Sequence, residues 1–327
     1  MLKGLALTPP IIGRIAIGKV VVKDGKRLPE KDDEFTITTQ VQLRDGWMLH
    51  PFDEILRKAQ PIPAKDKDQT KESTAKGKLR AIPVRLLFND PDLNLRADYT
   101  LFDRGTGRPL CVGNGETCKR LTATGFQTLP CPTPDGCELG FKAGCKPYGR
   151  LNVRIGDEDE LGSFIFRTTG YNSIRTLSAR LRYFQALSGD ALATLPLALR
   201  LRGKSTTQSY RAPIYYVDLT VRSGSTLAKT LEQARRETQL RAENGFDQGA
   251  LDAAARDGFA AGAFGESAEE GAAVVDEFYP DENDMTALQR NKGRTRSKPL
   301  ALVAKLEKLI AQTATPTRQV TEHGPRG

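Results

Sequence analysis

All five cysteines of this 327-residue chain, Cys111, Cys118, Cys131, Cys137 and Cys145, fall in one short stretch. A thiolate is a soft anionic ligand, and four of them close a tetrahedral shell around zinc at about 2.3 Å per bond. An odd count without a secretory pattern argues against a disulfide framework, whereas clustered thiols in a reducing compartment bind metal. The spacing is looser than a pair of CxxC knuckles, so turn chemistry selects among the five. Cys131 in LPCP, Cys137 in DGC, Cys145 in AGCKP and Cys111 between Pro109 and Gly113 each have a nearby Gly or Pro that lets the backbone bend around an ion. Cys118, in GETCKR, has none within two positions. The expected zinc ligands are therefore Cys111, Cys131, Cys137 and Cys145, with Cys118 spare; the alternative is a set of free thiols without metal. A closed four-thiolate shell has no place for water, which makes the metal structural. Structural zinc binding, at roughly 10 to 16 kcal/mol, would hold in place a stretch with few apolar residues.

Basic residues form the second constellation. The formal net charge is +9, and residues 258–327 hold 9 Lys and Arg against 10 Asp and Glu, so the positive charge belongs to the first 257 residues. Such a field attracts anions, nucleic acid foremost among large ones. In LALRLRGK, Arg200, Arg202 and Lys204 alternate with Leu199 and Leu201, so one face of a strand carries three cations. Arg175, Arg180 and Arg182 lie on the preceding helical segment, near Tyr171 and Tyr183. These six residues are the candidate nucleic-acid or partner surface; a solvated sheet face is the plain alternative.

Signals for catalysis are sparse. His50 and His323 are the only histidines, so no HExxH site can be assembled. The segment RGKST resembles the end of a phosphate-binding loop, but Ala198 stands where that motif requires Gly. The acidic run DEDE at 157–160 reads as a solvated hairpin tip rather than a cation site.

The elements that must position these residues alternate between two periods. Residues 11–41 read as strands around a polar turn at 23–26, and a short helix follows over 51–59, with acids early and bases late as the helix dipole favours. Residues 61–78, nearly without large apolar side chains, read as a loop. Strand patterns recur at 79–88, 96–103, 150–156 and 163–170. Ile174, Leu177, Leu181 and Phe184, spaced by three and four, predict a helix over 173–188 capped by Asn172 or Ser173 and ended by Gly189. Two further strands and a charged helix opened by Ser225 complete a basic α+β domain over 1–257, mainly antiparallel, with a zinc-binding insertion at 108–150. Residues 258–299, rich in Ala, Gly and acid, read as a disordered linker, and 300–327 as a short amphipathic helix and tail. No stretch approaches the roughly 18 apolar residues of a membrane span, and the start of the chain reads as neither signal peptide nor anchor, which places the protein in the cytoplasm.

The strings IGRIAIGKVVVKDGKRLPEKDDEFTITT and RLNVRIGDEDELGSFIFRTTGYNSIRTLSARL, continuing to APIYYVDLTV, resemble the phage recombination directionality factors that reverse large serine integrases, together with related metal-binding proteins of integrative elements. CVGNG from Cys111 and CKPYGRL from Cys145 are similar to strings of the element-borne relatives. The resemblance implies a non-enzymatic accessory protein of a mobile element, whose partners would be a serine integrase or another recombination protein, and DNA. Two rivals follow from the same residues: a single-stranded nucleic-acid binder using these arginines and tyrosines, and a metal-dependent hydrolase, which would need a water-bearing metal.

Overall fold

Apolar and polar residues alternate in repeated short runs over the first 220 positions, and that period of two builds a sheet. The computed structural model describes residues 10–23, 26–43, 46–60, 77–157, 162–205, 207, 211–261 and 268–279. In chain order these form β1 (Ile11–Lys23), β2 (Lys26–Leu43), β3 (Gly46–Leu49), α1 (Pro51–Ala59), β4 (Ala81–Arg85), α2 (Pro91–Asn94), β5 (Leu95–Phe102), β6 (Pro109–Gly113), β7 (Thr117–Thr122), β8 (Gly125–Pro130), α3 (Thr133–Gly136), α4 (Glu138–Ala143), β9 (Lys146–Ile155) and β10 (Ser163–Thr168). There follow α5 (Tyr171–Ser188), β11 (Leu197–Lys204), β12 (Ile214–Val221), α6 (Leu227–Glu243), α7 (Gln248–Ala261) and α8 (Ala268–Phe278). All lie within one unit, Met1–Pro280; residues 281–327 form a second unit outside the described residues. No described helix is long and apolar enough to cross a membrane.

The sheet runs β3-β2-β1-β10-β9-β5-β6-β7-β8. Every pairing is antiparallel except β1 with β10. Strand β9 is long enough to take two partners along one edge: β5 beside residues 146–151, then β4 beside Arg154 and Ile155. From β4 the sheet branches to β11 and β12. The branch turns back on the trunk, because Phe35 donates its N–H to the Leu79 carbonyl (2.7 Å) and Leu201 to that of Arg80 (2.9 Å). Between trunk and branch lies the main core, with Phe35, Ile37, Leu79, Ile82, Val84, Leu151, Val153, Leu199 and Val217 all fully buried. Helix α5 packs into it through Leu177, Leu181 and Phe184, each side chain contributing about 1.5 to 3 kcal/mol of transfer free energy. Helix α1 is stitched to β2 by buried Asp53, which accepts from the Ile37 N–H (2.9 Å) and from Arg57 Nε (2.6 Å).

The α+β, mainly antiparallel reading agrees with this architecture, but several local expectations change. Helix α5 begins at Tyr171 with Gly170 as its cap and no side-chain cap bond. Ser173 is committed elsewhere, its Oγ accepting from the Val217 N–H (3.1 Å). Helix α6 is capped by Thr226 rather than Ser225. Residues 108–150, expected as a zinc-binding insertion, contain β6, β7 and β8, which extend the sheet edge. Part of the stretch expected as a linker, 258–299, is helical: α7 runs into it and α8 lies inside it. An Ala- and Gly-rich composition hid that helix, because its apolar residues Val274, Val275 and Tyr279 find their packing partners, Phe102 and Tyr148, on distant strands. Residues 61–76, 158–161 and 280–327, which hold most of the expected loop, the acidic turn and the terminal helix, lie outside the described residues.

Candidate functional site

The cysteines come from four different local structures. Cys111 lies on β6, opposite Arg120 of β7, and Cys118 on β7, opposite Gly113. Cys131 follows β8 and is pinned by its N–H to the Glu116 carbonyl (2.8 Å). Cys137 caps α4, its Sγ accepting from the Gly140 N–H (3.3 Å). Helix α4 ends at Gly144, whose φ of 79° is left-handed, and this turn delivers Cys145. A Cβ on Gly140 would stand 3.3 Å from the Cβ atoms of both Cys137 and Cys145, so glycine there lets the two approach.

Cys111, Cys131, Cys137 and Cys145 line one cavity of about 20 Å³, together with Arg120. Cys118 does not; it is buried beside Leu101. Among the described residues, no three histidine, cysteine or carboxylate side chains form a ready-made metal shell, so the four thiols share a cavity without closing around its centre. Their electrostatics are those of crowded soft donors. Burial, and then the charges of Cys111, Cys131 and Cys137, push the Cys145 thiol up to about 12. The Gly140 N–H, and after it Arg120, lower the Cys137 thiol. Arg120, bonded to Cys111 and within 3.5 Å of Cys137 Sγ, holds its proton more tightly in return. Deprotonating these thiols together would set negative sulfurs against one another in a small space, a repulsion that a bound divalent cation would relieve.

The basic candidates lie elsewhere. Arg200, Arg202 and Lys204 are paired across β12 with Asp218, Tyr216 and Ile214. Arg180 of α5 and Arg202 of β11 grip the two oxygens of buried Asp218 from either side, at 3.0 and 3.2 Å. Arg200 donates to Ser223 Oγ (2.8 Å), Lys204 to Asn172 Oδ1 (2.8 Å), and Arg182 to Asp92 (3.4 Å). Arg175, Arg180, Arg182 and Arg202 are exposed. The structure thus brings Arg180, Arg202 and, through Asn172, Lys204 to the seam between α5 and the β11–β12 hairpin, while Arg182 is turned toward α2.

A family model described as Gp3-like, recombination directionality factor-like, matches residues 12–222. The chain belongs to this family. The match spans β1 to β12, so it takes in the cysteine region and the arginine seam of this directionality-factor-like chain and ends before α6. No curated protein and no solved structure matches it.

Sequence reasoning missed Arg120, whose place among the thiols follows only from the β6–β7 register. It also missed Arg14, Arg96, Arg150 and Arg167, each at an outward position of a strand whose inward neighbours are apolar. That alternation was the available signal.

Proposed function

We propose that this protein is an accessory factor of a mobile element that modulates site-specific recombination by binding a serine integrase, alone or on DNA, without catalysing a reaction itself. The observation that carries this reading is the family match over residues 12–222. Such a factor needs only different affinities for two recombinase assemblies to shift the balance between them. The α5–β11 seam is the partner surface favoured here, because Arg180 and Arg202 are fixed by one carboxylate and still exposed. Fixing an arginine before binding lowers the side-chain entropy lost on contact. In the same reading, zinc held by Cys111, Cys131, Cys137 and Cys145 would brace the β6–β8 edge as a structural ion. The shared cavity and its charge crowding support that ligand set.

The test is charge reversal at two positions, Arg200→Glu with Arg202→Glu, followed by measurement of integrase binding and of the direction of recombination in a reconstituted reaction. Loss of binding by about tenfold or more, with the fold intact by circular dichroism, is expected. Unchanged binding and unchanged direction would remove this surface.

A further inference from the structure

The outer face of the trunk sheet carries arginines in a row. Arg96 of β5 is the direct cross-strand partner of Arg150 of β9, and Arg150 that of Arg167 of β10. On the next strand, Arg14 of β1 stands beside Ile165, two residues before Arg167. Like charges placed directly opposite one another on a sheet repel, so four arginines on four adjacent strands call for an anion. All four are arginine, whose planar fork matches carboxylate and phosphate oxygens better than lysine does.

This chain supplies its own anion. Helix α8 lies over the row, with Glu270 on Arg167 (3.2 Å) and Glu277 on Arg14 (2.8 Å). Arg150 reaches Asp98 of β5 at 3.5 Å. Aromatic rings accompany the guanidinium groups: Trp47 under Arg14 at 4.0 Å, Tyr148 by Arg150 at 5.4 Å, and Phe259 of α7 by Arg96 at 4.7 Å. A cavity of about 570 Å³, lined in part by Arg14, Trp47, Arg167 and Glu277, opens beside the helix. The seat of α8 depends on a glycine pair: a Cβ on Gly271 would fall 1.8 Å from the Gly107 carbonyl oxygen. Lys146 and Tyr279 tie down its far end through the Phe278 and Thr100 carbonyls, each at 3.2 Å.

We propose that this arginine row is a binding site for a single-stranded nucleic acid, and that α8 is an internal phosphate mimic that covers it until a competing strand displaces it. The glutamates stand where phosphate oxygens would be held. Beneath the helix, Tyr148 and Phe102 lie on the same face as the arginines, at alternate positions of β9 and β5. Cations that track a backbone, together with rings on which bases stack, are the means by which proteins hold single strands. With α8 lifted, Arg14, Arg96, Arg150, Arg167 and Lys146 would face the strand together, beside Asp98. Five cations in line with stackable rings favour a nucleic-acid strand over an acidic peptide. The site lies apart from the α5–β11 seam and does not depend on the integrase reading.

The experiment measures binding of a fluorescent single-stranded oligonucleotide to the full chain at two salt concentrations. Two variants weaken the cover by different routes: Gly271→Ala, which drives α8 off the Gly107 turn while favouring helix, and Glu270→Gln with Glu277→Gln, which removes the two carboxylates paired with Arg167 and Arg14. Each is expected to bind at least about tenfold more tightly than the natural chain. For two arginines released to phosphates, the slope of log affinity against log salt should steepen by roughly 1.4. Adding Arg150→Ala and Arg167→Ala to either variant should abolish the gain. No gain in either variant, a gain that survives loss of the arginines, or tighter capture of a synthetic acidic helix without any gain for the oligonucleotide would overturn the proposal.

Discussion

Single residues in this fold act by being held at two ends. Asp157 accepts from Arg222 at 2.5 Å and from buried Arg85 at 2.9 Å, joining the end of β9 to β4 and to the residue after β12. Arg222 first and then Arg85 hold its carboxyl at about 2, below its ordinary 3.8. In that interval the unfolded chain binds the proton and the folded chain does not, so the contribution is complete above 3.8 and is lost as pH falls toward about 2. Asp157→Asn should therefore be less stable than the natural protein at neutral pH, and the difference should vanish as both are titrated through that window. Thermal unfolding at stepped pH values reads this directly. The side chain is more than half exposed, so the effect is small.

Elements are stabilised here by what they pack against rather than by their own propensities. Helix α5 lacks a side-chain N-cap and carries no acid in its first turn or base in its last. Its stability comes from Leu177 and Leu181, both fully buried among the strands of trunk and branch. Leu181→Ala should lower the stability of the whole unit by about 2 to 5 kcal/mol, measured by denaturant unfolding, rather than fraying one helix. It should weaken partner binding at the α5–β11 seam as well, because Arg180 rides on the same helix one residue away. Helix α8 combines packing with charge: Val274 is fully buried, and Glu270 and Glu277 add ion pairs to Arg167 and Arg14 that a competing anion would have to replace.

At the scale of the molecule, the β6–β8 edge of the sheet has little apolar support. Leu101, Cys111 and Cys118 form its small cluster, while Leu121, Phe126, Leu139 and Phe141 are exposed. If zinc braces that edge, purified protein should contain one ion per chain, and a strong chelator should lower the unfolding temperature and expose the four cavity thiols to alkylation. Cys137→Ser and Cys145→Ser should lose the ion, whereas Cys118→Ser should keep it. Metal analysis with thiol counting gives both numbers.

The sequence by itself determined the parts whose cause is local. Period-two alternation marked β1, β2, β5, β9 and β10 of the trunk but not β6, β7 and β8, three-and-four spacing marked α5, and the dipole-matched charges marked α1 at residues 51–59. Gly and Pro near Cys111, Cys131, Cys137 and Cys145 mark bends, which neighbours in sequence encode. Tertiary structure alone decided which strands became neighbours, and hence that Arg96, Arg150 and Arg167 stand in one row and that Arg120 meets the thiols. It also decided that residues 268–278 form a helix at all: a short Ala-, Gly- and Glu-rich segment gains too little from its own hydrogen bonds. The strands that bury Val274 and receive Glu270 and Glu277 lie more than a hundred positions earlier in the chain, beyond the reach of any local pattern.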